Sequence, residues 1–116
     1  MIGLKVSNAL LEEAVKIYKV LSNINRIKIL YFLENNEADV SSIVAHVELP
    51  QPMVSHQLAI LYRYQLVTKN KKGTHVYYCL DDPHILEMVD AMLGHVSHEI
   101  KGEPHPYSHT EQHSNK

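Results

Sequence analysis

Gln51-Pro52-Met53-Val54-Ser55-His56-Gln57-Leu58 and, past Leu66, Val67-Thr68-Lys69-Asn70-Lys71-Lys72-Gly73-Thr74-His75-Val76-Tyr77-Tyr78-Cys79-Leu80 decide the fold. Within this span the hydrophobic period falls from about 3.6 residues to about 2. Val54, Leu58 and Leu61 recur at helical spacing. Pro52 suits the first turn of that helix, where the N–H it lacks would have no intrahelical partner. The spacing predicts a helix to about Tyr64. Val67 to Lys69 and Val76 to Leu80 then alternate as strands around Asn70-Lys71-Lys72-Gly73, a hairpin carrying Lys71 and Lys72 at its tip.

Working upstream, Asp39 caps a short helix with Val40, Ile43, Val44 and Val47 facing inward. It stops before Leu49-Pro50-Gln51-Pro52, because a residue preceding proline is pushed out of the α region. Two short helices joined by a tight turn are the sequence form of a helix-turn-helix, and the hairpin behind them makes a winged helix. The expected fold class is therefore mainly α with a β-hairpin wing (α+β). The second helix would offer its N-terminal outer residues to a major groove. Gln51, Ser55 and His56 lie opposite Val54, Leu58 and Leu61, so they can reach base edges or phosphates, and Gln can pair bidentately with adenine.

Further upstream, Ser7 is the N-cap of a first helix. Leu10, Ala14, Ile17 and Leu21, flanked by Leu11, Val15 and Tyr18, form a stripe wide enough to need two packing partners. Ser22 or Asn23 caps a second helix to about Glu34, with Ile24, Ile27, Leu30, Tyr31 and Leu33 turned inward. The polar break Glu34-Asn35-Asn36-Glu37 ends it.

With 116 residues, 45% hydrophobic and 21% charged, the chain suits one compact domain over residues 1–101. Residues 102–116, with Gly102, Pro104, His105, Pro106, Ser108, His109 and His113, read as a polar, disordered, His-rich tail. Apolar runs such as Ile29 to Leu33 are too short to cross a membrane, and no secretory leader is visible, so a cytoplasmic protein with no membrane partner is expected. The single Cys79 cannot form an internal disulfide, which fits a reducing compartment. A net charge of −2 argues mildly against nucleic acid, yet residues 51–80 hold no Asp or Glu while carrying Arg63, Lys69, Lys71 and Lys72. Only the face that meets phosphates has to be positive.

Asp82-Pro83-His84 opens a last apolar-periodic helix, with Asp81 or Asp82 as cap, Pro83 in the first turn, and His95 and His98 near its end. Eleven residues at about 100° each bring His84 and His95 to one face, with His98 about 40° away. At about 1.5 Å per residue they stand roughly 16 Å apart along the axis, too far for one metal with bonds of about 2.0–2.2 Å. An antiparallel copy of the helix would bring Asp82 and His84 of one subunit to His95 and His98 of the other, giving two equivalent O,N,N,N sites. Nine histidines in the chain equally fit a solvated polar face.

Leu21-Ser22-Asn23-Ile24-Asn25-Arg26-Ile27-Lys28-Ile29-Leu30, Gln51 to Leu58 and Lys72-Gly73-Thr74-His75-Val76-Tyr77-Tyr78-Cys79-Leu80 resemble the ArsR/SmtB family of metal-sensing repressors over residues 7–100. The pattern Asp82, His84, His95, His98 resembles the zinc- and cobalt-responsive, CzrA-like members. Departures are Pro50 where a capping Ser or Thr is common, Met53 for a small polar residue and Thr74 for a wing arginine. The resemblance implies a homodimer joined through its N- and C-terminal helices, double-stranded operator DNA as partner, Zn(II) ligands at the four matched positions, and release of DNA on metal binding. Its DNA contacts would be Gln51, Ser55, His56, Lys71 and Lys72.

Three imidazoles and a carboxylate suit Zn(II) or Co(II) and disfavour Cu(I) and arsenite. The alternatives are a Ni(II)- or Co(II)-sensing repressor in which His105, His109 and His113 complete a six-coordinate site, a zinc hydrolase, and a metal buffer. Four protein ligands close a tetrahedron and leave no open position for catalysis, so no enzyme is expected. A buffer has no use for a winged helix.

Overall fold

The structure is a computed structural model that describes residues 6–101. The element order is α1 (Asn8–Leu21), α2 (Ile24–Leu33), β1 (Ala38–Asp39), α3 (Val40–Val47), α4 (Gln51–Arg63), β2 (Val67–Lys72), β3 (His75–Leu80) and α5 (His84–Lys101). The chain divides between Asp82 and Pro83 into two compact units.

In the first unit, the core lies where α2, α3 and α4 meet, with the sheet alongside. Ile29, Leu30, Ile43, Val54, Leu58 and Leu61 are all at 0% exposure. The helices α1, α2 and α3 each start on a capping side chain. Ser7 accepts from the Leu10 N–H at 3.2 Å, Asn23 from both Asn25 (2.9 Å) and Arg26 (3.1 Å), and Asp39 from Ser42 at 2.9 Å. These caps satisfy amides that the first helical turn leaves without partners. Between Ser22 and Asn23, Asn23 is thus the cap of α2.

The inward face of α2 differs from the spacing-based expectation. Ile24 is 67% exposed and Ile27 half-buried, while Ile29 joins Leu30 and Leu33 in the core. The helix is apolar nearly all round (INRIKILYFL), so period alone could not choose its phase. On α1 only Val20 and Leu21 are buried. Leu10, Leu11, Val15 and Tyr18 stay exposed, so the wide stripe is covered only at its C-terminal end.

The turn between α3 and α4 is set by backbone conformation. Glu48 ends α3 with φ 59°, its N–H bonded to the Val44 carbonyl at 2.9 Å, an arrangement glycine adopts more easily. Pro50 then stands at the N-cap of α4 without a side-chain cap hydrogen bond, and its carbonyl accepts from Val54 at 3.1 Å. At the other end of α4, Gln65 at φ 64° turns the chain into the sheet, and Leu66 N–H closes on the Leu61 carbonyl at 2.9 Å.

The sheet has the order β1-β3-β2, all antiparallel. Pairing continues out to Lys72↔His75, so the hairpin turn is Gly73-Thr74. Gly73, at φ 63°, fills the first of the two turn positions, where this backbone favours glycine. The turn therefore sits further out than the expected Asn70–Gly73, and Lys71 and Lys72 occupy the last rungs of β2.

The second unit is described by α5. The Pro83 carbonyl accepts from the Leu86 and Glu87 N–H groups at 3.0 and 3.3 Å, and the regular helix starts at His84. Met92 (59%), Leu93 (51%) and Ile100 (80%) are exposed on α5.

Candidate nucleic-acid interface

The reading helix α4 divides sharply between its two sides. Val54, Leu58 and Leu61 are fully buried, and Gln51, Ser55 and His56 are exposed on its N-terminal half. Met53, 40% exposed, has its Sδ 3.7 Å from Asn25 Nδ2 at the start of α2.

What fixes this helix was not singled out from the sequence. Gln57, 7% exposed, is the buried polar side chain among the described residues, and its Oε1 accepts from Arg26 Nε at 2.6 Å. The same guanidinium donates through Nη1 to the Val20 carbonyl at 3.0 Å. Arg26 thus ties the end of α1 and the start of α2 to the middle of α4. The signal was present in the spacing: Gln57 follows Val54 by three positions and precedes Leu61 by four, so the rule that buries those two buries it as well.

The wing carries its lysines in three different settings. Lys69 Nζ lies 4.2 Å from the centroid of the Tyr62 ring on α4. Lys71 is exposed. Lys72 is engaged: its Nζ is 2.7 Å from Glu37 Oε1 and 5.4 Å from the centroid of the Tyr77 ring. The hydrogen bond from Lys72 to the Glu37 carboxylate, reinforced by that carboxylate's charge, raises the ammonium's pKa above its ordinary value. Beside it, His75 Nδ1 stands 3.5 Å from Asp39 Oδ2. The Asp39 carboxyl is held below its usual range, first by the Ser42 N–H bonded to its Oδ1 and then, more weakly, by His75. Neither Glu37 nor Asp39 was flagged as part of the wing from sequence, since the strand that brings them there is only two residues long.

Asp82, His84 and His95 are exposed and His98 is half-buried. Among the described residues no group of three or more His, Cys, Asp or Glu stands close enough to hold a metal ion. His105, His109 and His113 lie outside the described residues, as does the whole expected tail. Among the described residues no helix is long and apolar enough to cross a membrane.

A helix-turn-helix with an exposed reading face, followed by a hairpin wing, defines a winged-helix DNA-binding regulator of transcription. The family model for bacterial regulatory proteins of the arsR family matches residues 23–69. The chain is 36% identical over 85 residues to the uncharacterized HTH-type transcriptional regulator MJ1325 of Methanocaldococcus jannaschii, covering 70% of this chain and 96% of that protein. It is 32% identical over 84 residues to a cadmium resistance transcriptional regulatory protein CadC homolog of Staphylococcus aureus, covering 72% of this chain and 69% of that one. The crystal structure of the transcriptional regulator HlyU from Vibrio vulnificus superposes with a TM-score of 0.63 at 34% identity, covering 72% of this chain and 86% of that one. The chain belongs to the arsR family, whose matched members are named as transcriptional regulators.

Proposed function

We propose that this protein is a metal-responsive transcriptional repressor that binds operator DNA as a metal-free homodimer and is released when Zn(II) occupies sites shared between two copies. The observation that carries the reading is the spacing of four donor-type residues as two pairs, Asp82 just before α5 with His84 at its start, and His95 and His98 towards its other end. The donors fit the ion. Three of the four are exposed, and a carboxylate with three imidazoles and no thiolate matches the borderline character of Zn(II). When bound, the metal would supply a crosslink between copies of α5. A cadmium resistance regulator among the relatives supports a metal effector in general.

The exposed apolar residues of α1 (Leu10, Leu11, Val15, Tyr18) and, in the second unit, those of α5 (Met92, Leu93, Ile100) each support a second copy as partner, since an apolar helix face left uncovered by its own chain marks an interaction site. Gln51, Ser55 and His56 would read the major groove, and Lys71 and Lys72, on the last rungs of β2, would meet phosphates near the wing tip.

Coupling between the two events is a free energy and must be reciprocal: DNA weakens metal binding by the factor by which metal weakens DNA binding. Shifting the population from 99:1 to 1:99 takes about 5.5 kcal/mol of differential affinity, above the usual range of about 1–3 for one coupling, and two equivalent sites per dimer could together reach it. The test is a titration of labelled upstream DNA with the metal-free protein, followed by each divalent ion in turn. Release by Zn(II) at the lowest free concentration is the expected result. Binding indifferent to every ion would overturn the reading, and release confined to Ni(II) or Co(II) would move the specificity to the six-coordinate alternative.

A further inference from the structure

The last of the wing's three lysines, Lys72, is held by the protein itself. Lys72 sits on the last rung before the turn, opposite His75, whereas Tyr77 pairs with Asn70, two residues back from the tip. With its Nζ 5.4 Å from the Tyr77 centroid and 2.7 Å from Glu37 Oε1, the Lys72 side chain folds back from the tip along the face of the sheet. Glu37 reaches it because β1, which begins one residue later, is the strand bonded to β3 on the side away from β2. Lys71, its neighbour on β2, points to the opposite face by strand alternation and is exposed.

We propose that Glu37 is an internal competitor of the DNA phosphate for the Lys72 ammonium, so that the grip of the wing on DNA depends on which of two anions holds that cation. The two side chains are 54% and 36% exposed, so solvent and an approaching phosphodiester reach the pair directly. Ion pairs of this exposure are weak and salt-screened, which makes them exchangeable. A phosphate offers the same charge-assisted hydrogen bond together with the release of condensed counterions. Glu37 thereby limits sequence-independent binding while leaving the groove contacts of α4 untouched.

This inference rests on the wing lying on DNA as proposed above, and the experiment separates the two. Affinity for a non-operator duplex is measured against salt for the wild type, Glu37→Gln, Lys72→Ala, their double variant, Lys71→Ala and, as a control for loss of one negative charge nearby in sequence, Glu34→Gln alone and combined with Lys72→Ala. Glu37→Gln keeps the side-chain shape. It is expected to tighten binding about two- to fivefold, the range set by a weak exposed pair, and to steepen the salt slope by up to about 0.9, one further phosphate contact. In the Lys72→Ala background it should do no more than Glu34→Gln. If Glu37→Gln equals Glu34→Gln in both backgrounds while Lys71→Ala weakens binding, the competitor role is overturned and the wing placement stands. If neither lysine variant changes affinity or slope, the wing is not on DNA and both fall.

Discussion

Arg26 and Gln57, thirty-one residues apart in sequence, are joined by a 2.6 Å hydrogen bond from guanidinium to side-chain carbonyl, and the same guanidinium holds the Val20 carbonyl. A buried amide in the reading helix is therefore satisfied by a cation anchored on two other helices. Removing Arg26 leaves the buried Gln57 oxygen without its donor, and removing Gln57 deprives the half-buried guanidinium of an acceptor, each at a cost of about 1–3 kcal/mol. We expect Arg26→Ala and Gln57→Ala each to lower stability by that much in urea unfolding. The double variant should lose less than the sum, with a coupling of about 0.5–3 kcal/mol. Additive losses would show that the contact does not hold α4.

Ile24 and Ile29 lie on the same helix in opposite settings, 67% and 0% exposed. Ile29→Ala should cost about 2–5 kcal/mol as a core truncation. Ile24→Ala should stay within about 0.5 kcal/mol of the wild type. Reversal of that order in equilibrium unfolding would restore the phase expected from spacing.

That pair shows where sequence reading succeeds and where it stops. On α4, polar and apolar positions alternate with a clear helical period, so the burial of Val54, Leu58 and Leu61 and the exposure of Gln51, Ser55 and His56 were legible together. On α2 the apolar residues run nearly all round, so only tertiary packing selects the inner face. The wing was legible as a hairpin because period and glycine agree. Its turn moved to Gly73-Thr74 because pairing carries on to Lys72↔His75. The hold of Glu37 on Lys72 spans thirty-five residues and depends on β1, two residues long and without a periodic signature. No local pattern reports a contact of that kind.

The Asp39 carboxyl should leave a mark on acid stability. Its folded-state pKa is lowered, chiefly by the Ser42 N–H, from an ordinary value of 3.8. A depressed carboxylate contributes stability that is fully present above its unfolded value and is lost as pH falls through the folded value. The wild type should therefore lose stability below about pH 4. Asp39→Asn, which keeps an oxygen acceptor for the Ser42 amide but does not titrate, should show a flatter acid limb. Melting temperatures from neutral pH down to pH 3 would check this, and parallel curves would remove Asp39 from the account.

Truncation after Lys101 removes His105, His109 and His113. A tetrahedral ion with four ligands has no vacancy for them, and ordering a further segment has an entropic cost. Zn(II)-dependent release from DNA should survive the truncation nearly unchanged. A large loss of response, with the Co(II) spectrum of the full chain octahedral and that of the truncated chain tetrahedral, would assign the tail histidines to the site and favour Ni(II) or Co(II) as effector.

The proposed donors form two pairs, Asp82 and His84 where α5 begins and His95 and His98 towards its end, that one chain cannot bring together. Along a straight helix the rise of about 1.5 Å per residue leaves His84 roughly 16 Å from His95. A shared site therefore makes a prediction about mixtures. The Asp82→Ala/His84→Ala variant and the His95→Ala/His98→Ala variant each lose half of every site, so neither alone should bind Zn(II) tightly at stoichiometric amounts. When the two are mixed and allowed to exchange subunits, each heterodimer pairs an intact Asp82–His84 end with an intact His95–His98 end. The other site of that heterodimer is left with no ligands. Competition against a zinc chelator should then show one tight site per heterodimer, where either parent shows none. The same mixture should regain part of its metal-dependent release from DNA, less than the wild type with two sites, because coupling energies from equivalent sites accumulate. Tight stoichiometric binding by either parent alone would place the metal within one chain, and failure of the mixture to gain a site would separate the two donor pairs for good.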